Sequence, residues 1–325
     1  MKRRTLLALS GAVGIASPGW AQSPALPRIA YLSGRSVTTD GHLLGAFKEG
    51  LKTEGYVDGQ NVTIDVRWAD GRYDHVPALL SELIAAKPNV IAAVGGNPVG
   101  IDAKKATATI PVVFSAGADP MLIGLVSNLS RPDGNLTGIT LWAGELDSKR
   151  LDLLRAMLPT AKNVALLMNP TNPGVAQEVQ RMAEAAKALD MALVTINAQT
   201  SSGIDRAFES LPAGKIDALA VVADAFLINY RARILELAAA RKLPAIFPSR
   251  EFVEDGGLVS YGTRWADMYR IVGSYTGRIL KGARPSDLPI QRPNTYELVI
   301  NLKTAKTLGI TVPPIMLARA DEVLE

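Results

Sequence analysis

Short runs of hydrophobic residues alternate with segments of helical periodicity along most of the chain. Arg28–Ser33, Val90–Val94 and Pro111–Ser115 are apolar runs of strand length, which is typical of strands buried on both faces. Between such runs, Val76–Ile84 spaces its apolar residues as on one face of an amphipathic helix. Because this alternation repeats many times, the pattern predicts parallel sheets covered by helices on both faces.

The segment Asn61–Trp68 departs from this pattern because apolar and polar residues alternate strictly along it. Val62, Ile64 and Val66 fall on one side of the predicted strand. This alternation predicts an edge strand with one face less covered than the other.

The strand and helix pattern begins again in the second half of the chain. Two doubly wound parallel sheets of about five strands each, joined by a hinge, are the simplest α/β architecture that accounts for this repetition. The remaining strands are predicted at Asn135–Leu141, Val164–Met168, Ala192–Ile196, Ala218–Val222, Ala245–Phe247, Leu258–Tyr261 and Tyr296–Ile300.

The boundaries of the two lobes are predicted from where strands run into long helices. The first crossing is expected near residues 142–146, before a predicted helix Glu145–Leu158. A second crossing is expected after Gly262, because Met268–Ile279 again has a helical apolar stripe. We therefore predict a first lobe of residues 27–142 plus 263–292, and a second lobe of residues 143–262 plus 293–325.

The first 21 residues have the pattern of a cleaved export signal. Lys2, Arg3 and Arg4 form a basic start, and Leu6–Ala16 is an apolar run too short to span a membrane. Cleavage is expected after Ala21, which has a glycine two positions before it. The sequence thus predicts an exported protein.

Composition and charge narrow the class of protein further. The sequence has no cysteine, which excludes disulfides, thiolate catalysis and the lipid anchor of a lipoprotein. Three of the cations behind the formal net charge of +4 lie in the predicted signal, so the rest of the chain offers no strongly basic surface for nucleic acid. We expect a monomer free in the periplasm.

Small polar residues and glycines follow most of the predicted strands. Ligands of open parallel sheets bind beyond the carboxyl ends of the strands. Glycine lets the backbone approach a ligand, and helix N-termini favour an anionic group such as a carboxylate. The alternative for each polar residue is a helix cap. The candidate ligand-binding residues are Ser33, Gly34, Gly96, Asn97, Ser115, Asp119, Thr140, Asn169, Asp224, Arg250 and Tyr261.

Several of these candidates allow two interpretations. Asp119 precedes a proline that is expected to open a helix, so it either caps that helix or contacts a ligand ammonium. Asp224 has the same two possible roles. Arg250 either binds a ligand carboxylate through its guanidinium fork or is held by neighbouring acidic residues. Tyr261 and Trp142 are candidate aromatic walls for an apolar moiety.

The residues needed for catalysis are missing from the predicted strand ends. His42 and His75 are the only histidines, and both fall on predicted helices of the first lobe. No zinc-protease, phosphate-loop or nucleophile-elbow motif is present. We therefore predict a protein that is not an enzyme, with no catalytic residue, metal site or cofactor.

Several motifs lie along the chain, namely Gly50-Leu51 with Gly55-Tyr56 and Gly59–Val62, Asp119-Pro120 with Gly124–Val126, Arg131-Pro132 with Gly134–Gly138, Gly256–Gly262, and Asp287–Pro289 with Asn301–Lys306. Together they resemble the ABC transporter substrate-binding family, whose better-understood members are tryptophan/tyrosine-type binding proteins. This resemblance extends over most of the chain and implies a type I periplasmic binding fold, hinge closure, and delivery of solute to a membrane permease and ATPase.

The sequence thus favours a solute-binding protein that captures a small, carboxylate-bearing solute, amino-acid-like or aromatic, by hinge closure. A ligand-sensing partner of a chemoreceptor or sensor kinase is an alternative that uses the same cleft. An exported α/β hydrolase is a further alternative, but it requires a nucleophile and a base in the cleft.

Overall fold

The structure, a computed structural model, describes residues 25–141 and 145–325. The predicted export signal and Trp142 lie outside these residues. Within them the chain forms two α/β sheets, each with helices packed against it. This confirms the predicted fold class of two parallel-sheet lobes, which we call the first and second lobe.

The first lobe is built on a five-stranded sheet in which all strands are parallel, in the order β2-β1-β3-β4-β5. β2 lies at the edge, as its alternating sequence predicts. The strands are β1 (Arg28–Ser33), β2 (Thr63–Trp68), β3 (Val90–Val94), β4 (Val112–Ala116) and β5 (Leu136–Thr140).

Four helices pack on the first sheet, namely α1 (Val37–Thr53), α2 (Val76–Ala85), α3 (Asn97–Ala106) and the much later α10 (Trp265–Leu280). α1 and α10 cross very closely, because a Cβ atom on Gly50 would lie 2.0 Å from the Arg270 carbonyl oxygen. A Cβ atom on Gly273 would likewise lie 2.0 Å from the Phe47 carbonyl oxygen. These two glycines therefore fix α10 to the first lobe.

The second lobe has a seven-stranded sheet in the order β12-β11-β10-β9-β8-β6-β7, two strands more than expected. After α10 the chain pairs with β5 at Gln291 and then re-enters the second sheet from the end where β10 finishes. β11 therefore runs antiparallel to β10, whereas the other strand pairs of this sheet are parallel. The strands are β6 (Asn163–Met168), β7 (Ala192–Asn197), β8 (Ala218–Val221), β9 (Ala245–Phe247), β10 (Val259–Thr263), β11 (Tyr296–Asn301) and β12 (Glu322–Leu324).

Several helices of the second lobe begin shortly after a strand. A helix that follows one of the parallel strands, such as the helix capped by Asp224, starts at the rim that faces the first lobe. The helix capped by Asn301 follows the antiparallel β11 and therefore starts at the opposite end of the sheet. Asp224 and Asn301 cap these two helices by accepting backbone N–H bonds. The helices of the second lobe are α4 (Glu145–Met157), α5 (Val175–Ala188), α6 (Ser201–Glu209), α7 (Ala225–Asn229), α8 (Arg231–Ala240), α9 (Arg250–Glu254), α11 (Leu302–Leu308) and α12 (Pro314–Leu317). None of the helices found in residues 25–141 and 145–325 is long and apolar enough to cross a bilayer.

Candidate functional site

The loops at the carboxyl ends of both sheets line a set of adjoining narrow cavities between the lobes. Gly117 of the first lobe and Ala223 of the second line all three. Of the predicted site residues, Gly96, Asn97, Ser115, Asp119 and Asp224 lie on these walls. These five residues, predicted because they follow strands, therefore lie around one shared space.

Asn97 joins the two lobes through both ends of its amide. Its Oδ1 accepts hydrogen bonds from the backbone N–H groups of Gly117 (2.7 Å) and Ala118 (3.1 Å) in its own lobe. Its Nδ2 donates to Asn172 Oδ1 (3.0 Å) and to the Pro173 carbonyl (2.7 Å) across the cleft. Asn97 thus shapes the wall of the cavity and bridges the lobes at the same time.

Asp224 is the most heavily hydrogen-bonded carboxylate of the rim. It caps α7 by accepting from Leu227 N (3.1 Å), and it also accepts from Asn169 Nδ2 (3.3 Å) and Asn172 Nδ2 (2.9 Å). A fourth donor, the Tyr73 hydroxyl of the first lobe, reaches it at 2.9 Å. Burial raises the pKa of Asp224, and these four donors occupy the roughly four lone-pair positions of a carboxylate.

Asp119 lines the cavity, but the helix predicted after it does not form. Residues 120–125 make a series of tight turns, with Gly124 N bonded to the Met121 carbonyl and Leu125 N bonded to the Pro120 carbonyl. Asp119 Oδ1 accepts from Met121 N at 2.8 Å, as in an Asx turn. Gly124 ends the turn with a φ of +72°, a conformation that glycine adopts easily.

Four further candidates shape the loops of the rim with hydrogen bonds inside their own lobe. Ser33 Oγ accepts from Arg35 N (3.2 Å), and Ser115 Oγ accepts from Gly95 N (3.2 Å). The Thr140 hydroxyl donates to the Ala118 carbonyl at 3.0 Å. A Cβ atom on Gly34 would lie 2.3 Å from the Gly95 carbonyl oxygen, so Gly34 allows two loops to touch.

Two candidates lie apart from the shared walls. The Arg250 guanidinium binds three carboxylates of its own lobe, those of Glu254, Glu297 and Glu322. Of the two roles considered for Arg250, the structure favours the one in which acidic residues hold it, because each of its three guanidinium nitrogens binds a carboxylate and Arg250 lines none of the three cavities. Tyr261 lies in β10 with its ring 6.2 Å from that of Tyr296.

Asn169 is buried beneath the rim and supports it. Its Oδ1 accepts from Thr171 N (3.1 Å) and from the Thr171 hydroxyl (2.8 Å), while its Nδ2 reaches Asp224. Its role in this structure is to hold the loop after β6 in place.

A charged cluster on α4 and α5 was not predicted, because its residues do not follow strands. We call it the charged quartet, and it consists of Asp147, Arg150, Glu178 and Arg181. Arg150 Nη1 lies 3.3 Å from Asp147 Oδ1 and 4.0 Å from Glu178 Oε1. Arg181 Nη2 binds the other Asp147 oxygen at 3.1 Å, and Arg150 Nε donates to the Tyr261 carbonyl at 2.9 Å. All four residues line the cavities.

Burial governs the protonation of the carboxylates in the charged quartet. Burial raises the pKa of Asp147, although Arg150 and Arg181 oppose the shift. Burial and then the nearby Asp147 raise the pKa of Glu178 to about 8. The quartet thus supplies two guanidinium groups and two carboxyl groups, and the carboxyl of Glu178 holds its proton readily.

The sequence contains a pattern that points to the charged quartet, namely charged residues on the apolar stripes of two helices. Asp147 lies four residues before the buried Leu151, and Arg150 lies four residues before the buried Leu154. Glu178 lies four residues before the buried Met182. Charged residues on the apolar stripe of a helix are rarely buried without a partner.

Arg35 and Trp265 form the wall of the cavities nearest the hinge. The Arg35 guanidinium lies 4.0 Å from the centre of the Trp265 ring and 3.1 Å from Asp40 Oδ1. Arg35 is 1% exposed, and burial of a guanidinium requires such partners. Trp265 provides an aromatic surface in the cleft, whereas the predicted Trp142 lies outside the described residues.

Two parallel-sheet lobes closed over a polar, charged cleft define a type I periplasmic binding protein fold. The family model for "ABC transporter substrate binding protein" matches residues 35–324, so the chain belongs to that family. It is a family of solute-binding proteins that serve ABC transporters, not a family of enzymes.

Three known proteins illustrate the similarity. A tyrosine-binding protein of Clostridioides difficile is 29% identical over 264 residues, which is 81% of this chain and 75% of that protein. A Streptococcus pneumonia ABC domain in complex with L-Trp is 26% identical with a TM-score of 0.85, covering 92% of this chain and 100% of that one. A ligand-free, open substrate-binding protein from Clostridium difficile is 25% identical with a TM-score of 0.66, covering 92% and 99%.

Proposed function

We propose that this protein captures a small zwitterionic solute, an α-amino acid with an aromatic or apolar side chain, and presents it to the permease of an ABC importer. Capture proceeds by closure of the two lobes over the solute, because a ligand that contacts both lobes binds the closed state better. No bond of the solute is made or broken.

The observation that carries this proposal is the charge of both signs within the interlobe cavities. The charged quartet offers guanidinium donors for a carboxylate, as well as carboxyl oxygens that can accept from an ammonium. Asp119 adds a further carboxylate on the opposite lobe. A zwitterion matches such a site better than a neutral sugar or a simple anion does.

The relatives support the choice of an amino acid. One bears the name of a tyrosine-binding protein, and another was solved with L-Trp bound. Trp265 supplies an aromatic ring on the wall of the cavities where a ligand side chain can pack.

The cellular setting of the protein is part of the same proposal. We place the mature chain in the periplasm as a monomer, after removal of residues 1–21, with a permease and an ATPase as its partners. The hinge separates a first lobe of residues 27–142 plus 263–292 from a second of residues 143–262 plus 293–325.

A calorimetric and melting screen with matched analogues tests this function. L-tyrosine, L-tryptophan and L-leucine are compared with tyramine, which lacks the carboxylate, and with hydroxyphenylpropionate, which lacks the ammonium. We expect an amino acid to raise the melting temperature, since a ligand at 100 times its Kd adds about 2.7 kcal/mol to the free energy of unfolding. Either truncated analogue should bind at least about tenfold more weakly, because it leaves buried charges of the site unpaired.

Two outcomes contradict the proposal. If no amino acid stabilises the protein while a sugar or simple anion does, the solute class is wrong. If chromatography shows that the bound solute is chemically converted, the protein is an enzyme.

A further inference from the structure

Tyr73 of the first lobe makes a partly buried contact with the second lobe. It lies in a 3-10 turn, Tyr73–His75, that follows β2. Its hydroxyl donates to Asp224 Oδ2 at 2.9 Å and accepts from the backbone N–H of Ala225 at 3.2 Å. Both partners belong to the N-terminus of α7, so one hydroxyl serves a donor and an acceptor of the opposite lobe.

The surroundings of Tyr73 are shaped for this contact. Gly96 lies beside the tyrosine hydroxyl, where a Cβ atom would be 3.1 Å from the oxygen. Gly96 also has a φ of +138°, which favours glycine. Burial raises the pKa of Tyr73 well above its ordinary value, so the hydroxyl keeps its proton at neutral pH.

When the lobes open, the contact breaks and Asp224 loses one of its four hydrogen-bond donors. The other three donors to this carboxylate come from the second lobe itself, so they remain when the lobes part. Tyr73 is the donor that only the closed state supplies. A hydrogen bond to a buried carboxylate is stronger than a bond between neutral groups, so this contact favours the closed state.

Two other side chains of the first lobe also form hydrogen bonds to the second lobe. Asn97 donates to Asn172 and Pro173 across the cleft, and the Thr39 hydroxyl donates to Asn229 Oδ1 at 3.2 Å. These hydrogen bonds join protein to protein, so they form whichever solute occupies the cavities.

We propose that Tyr73 is a positioning residue that sets the equilibrium between the open and closed states, and thereby the affinity for every solute, without touching the solute. The proposal rests on the proposed function only in assuming that the lobes open and close. The apparent Kd is the intrinsic Kd divided by the fraction of closed molecules. A lower closed fraction therefore weakens all ligands by one common factor.

The test replaces Tyr73→Phe, which keeps the ring and removes the hydroxyl. Because the sequence lacks cysteine, Glu82→Cys and Glu209→Cys place one dye on each lobe for single-molecule energy transfer. We expect the variant to lower the closed fraction of the ligand-free protein. We also expect it to weaken L-tyrosine and L-tryptophan by the same factor, about tenfold, mainly through faster dissociation.

Tyr275→Phe is the matched control. The Tyr275 hydroxyl donates to the Pro289 carbonyl at 2.8 Å, and both residues belong to the part of the chain that packs on the first sheet, so this hydrogen bond does not cross the cleft. It should leave the closed fraction and the Kd unchanged. The proposal is overturned if Tyr73→Phe leaves the closed fraction unchanged, or if it weakens one solute and spares another. The ligand-free measurement needs no solute, so it tests Tyr73 even where the solute screen fails.

Discussion

The cleft rims of the two lobes differ in the types of residue that form them. The first-lobe rim depends on glycines and short hydroxyl side chains, since Gly34 lets the loops after β1 and β3 touch and Ser33 and Ser115 bind backbone groups. The second-lobe rim depends on ionisable groups, namely the charged quartet and Asp224. Shape is thus set mainly by one lobe and charge mainly by the other, although Arg35 and Asp119 of the first lobe are exceptions.

The largest effect is expected from breaking the charged rim at Asp147→Ala. The change leaves Arg150 and Arg181 without their shared carboxylate, and removal of one partner of a buried ion pair costs about 3–5 kcal/mol. Chemical unfolding measures this loss. Asp152→Ala, on the exposed face of the same helix, is the control and should change the free energy of unfolding by about 0.5 kcal/mol or less. If both variants change the free energy of unfolding equally, the charged quartet does not stabilise the second-lobe rim.

A smaller effect is expected from Gly34→Ala in the first-lobe rim. The added methyl group would lie 2.3 Å from the Gly95 carbonyl oxygen, so the loop must move, at a cost of about 1–3 kcal/mol. Gly45→Ala, on the exposed face of α1 with no atom within 4 Å of its Cβ, is the control. It should stabilise the protein by about 0.5–1 kcal/mol, because alanine favours a helix. A stable Gly34→Ala protein with unaltered solute affinity would contradict the role given to glycine here.

The effect expected from Glu178→Gln depends on pH. The folded-state pKa of Glu178 is raised to about 8 by burial and by Asp147. The folded protein therefore loses stability as pH rises from the ordinary pKa of glutamate towards that value, because the carboxyl releases its proton in the unfolded chain but keeps it in the fold. Glutamine has no proton to lose, so the variant should gain melting temperature relative to wild type at pH 8 but not at pH 4.

Glu209→Gln, at the exposed end of α6, is the matched control for this pH series. A Glu178→Gln variant whose melting temperature follows that of wild type at every pH would show that the Glu178 carboxyl does not change protonation in this range.

Local patterns in the sequence predict the strands and most of the rim, because strand ends in a parallel sheet must meet at one edge. The strict alternation of residues 61–68 predicts the edge position of β2, and the structure confirms it. The antiparallel β11 is not predicted, because its direction follows from α10 packing on the other lobe. Asp119 failed as a helix cap, because the Asx turn and Gly124 close tight turns instead.

The contacts that hold the cleft shut depend on distant parts of the chain. Tyr73 and Asp224 are 151 residues apart, and no local spacing relates them. The charged quartet lies on helices and not at strand ends, so only the partner requirement of buried charges points to it. Two of the carboxylates that hold Arg250, those of Glu297 and Glu322, also lie far along the sequence, whereas Glu254 is a neighbour that the sequence does offer.

The position of α10 in the chain has a consequence for synthesis on the ribosome. α10 begins at residue 265, yet it packs on α1 in the first sheet. The first five strands therefore emerge long before α10, and the part of the sheet that α10 covers, on β3, β4 and β5, stays uncovered until most of the polypeptide has been made. The first lobe can therefore complete its core only after α10 has been made.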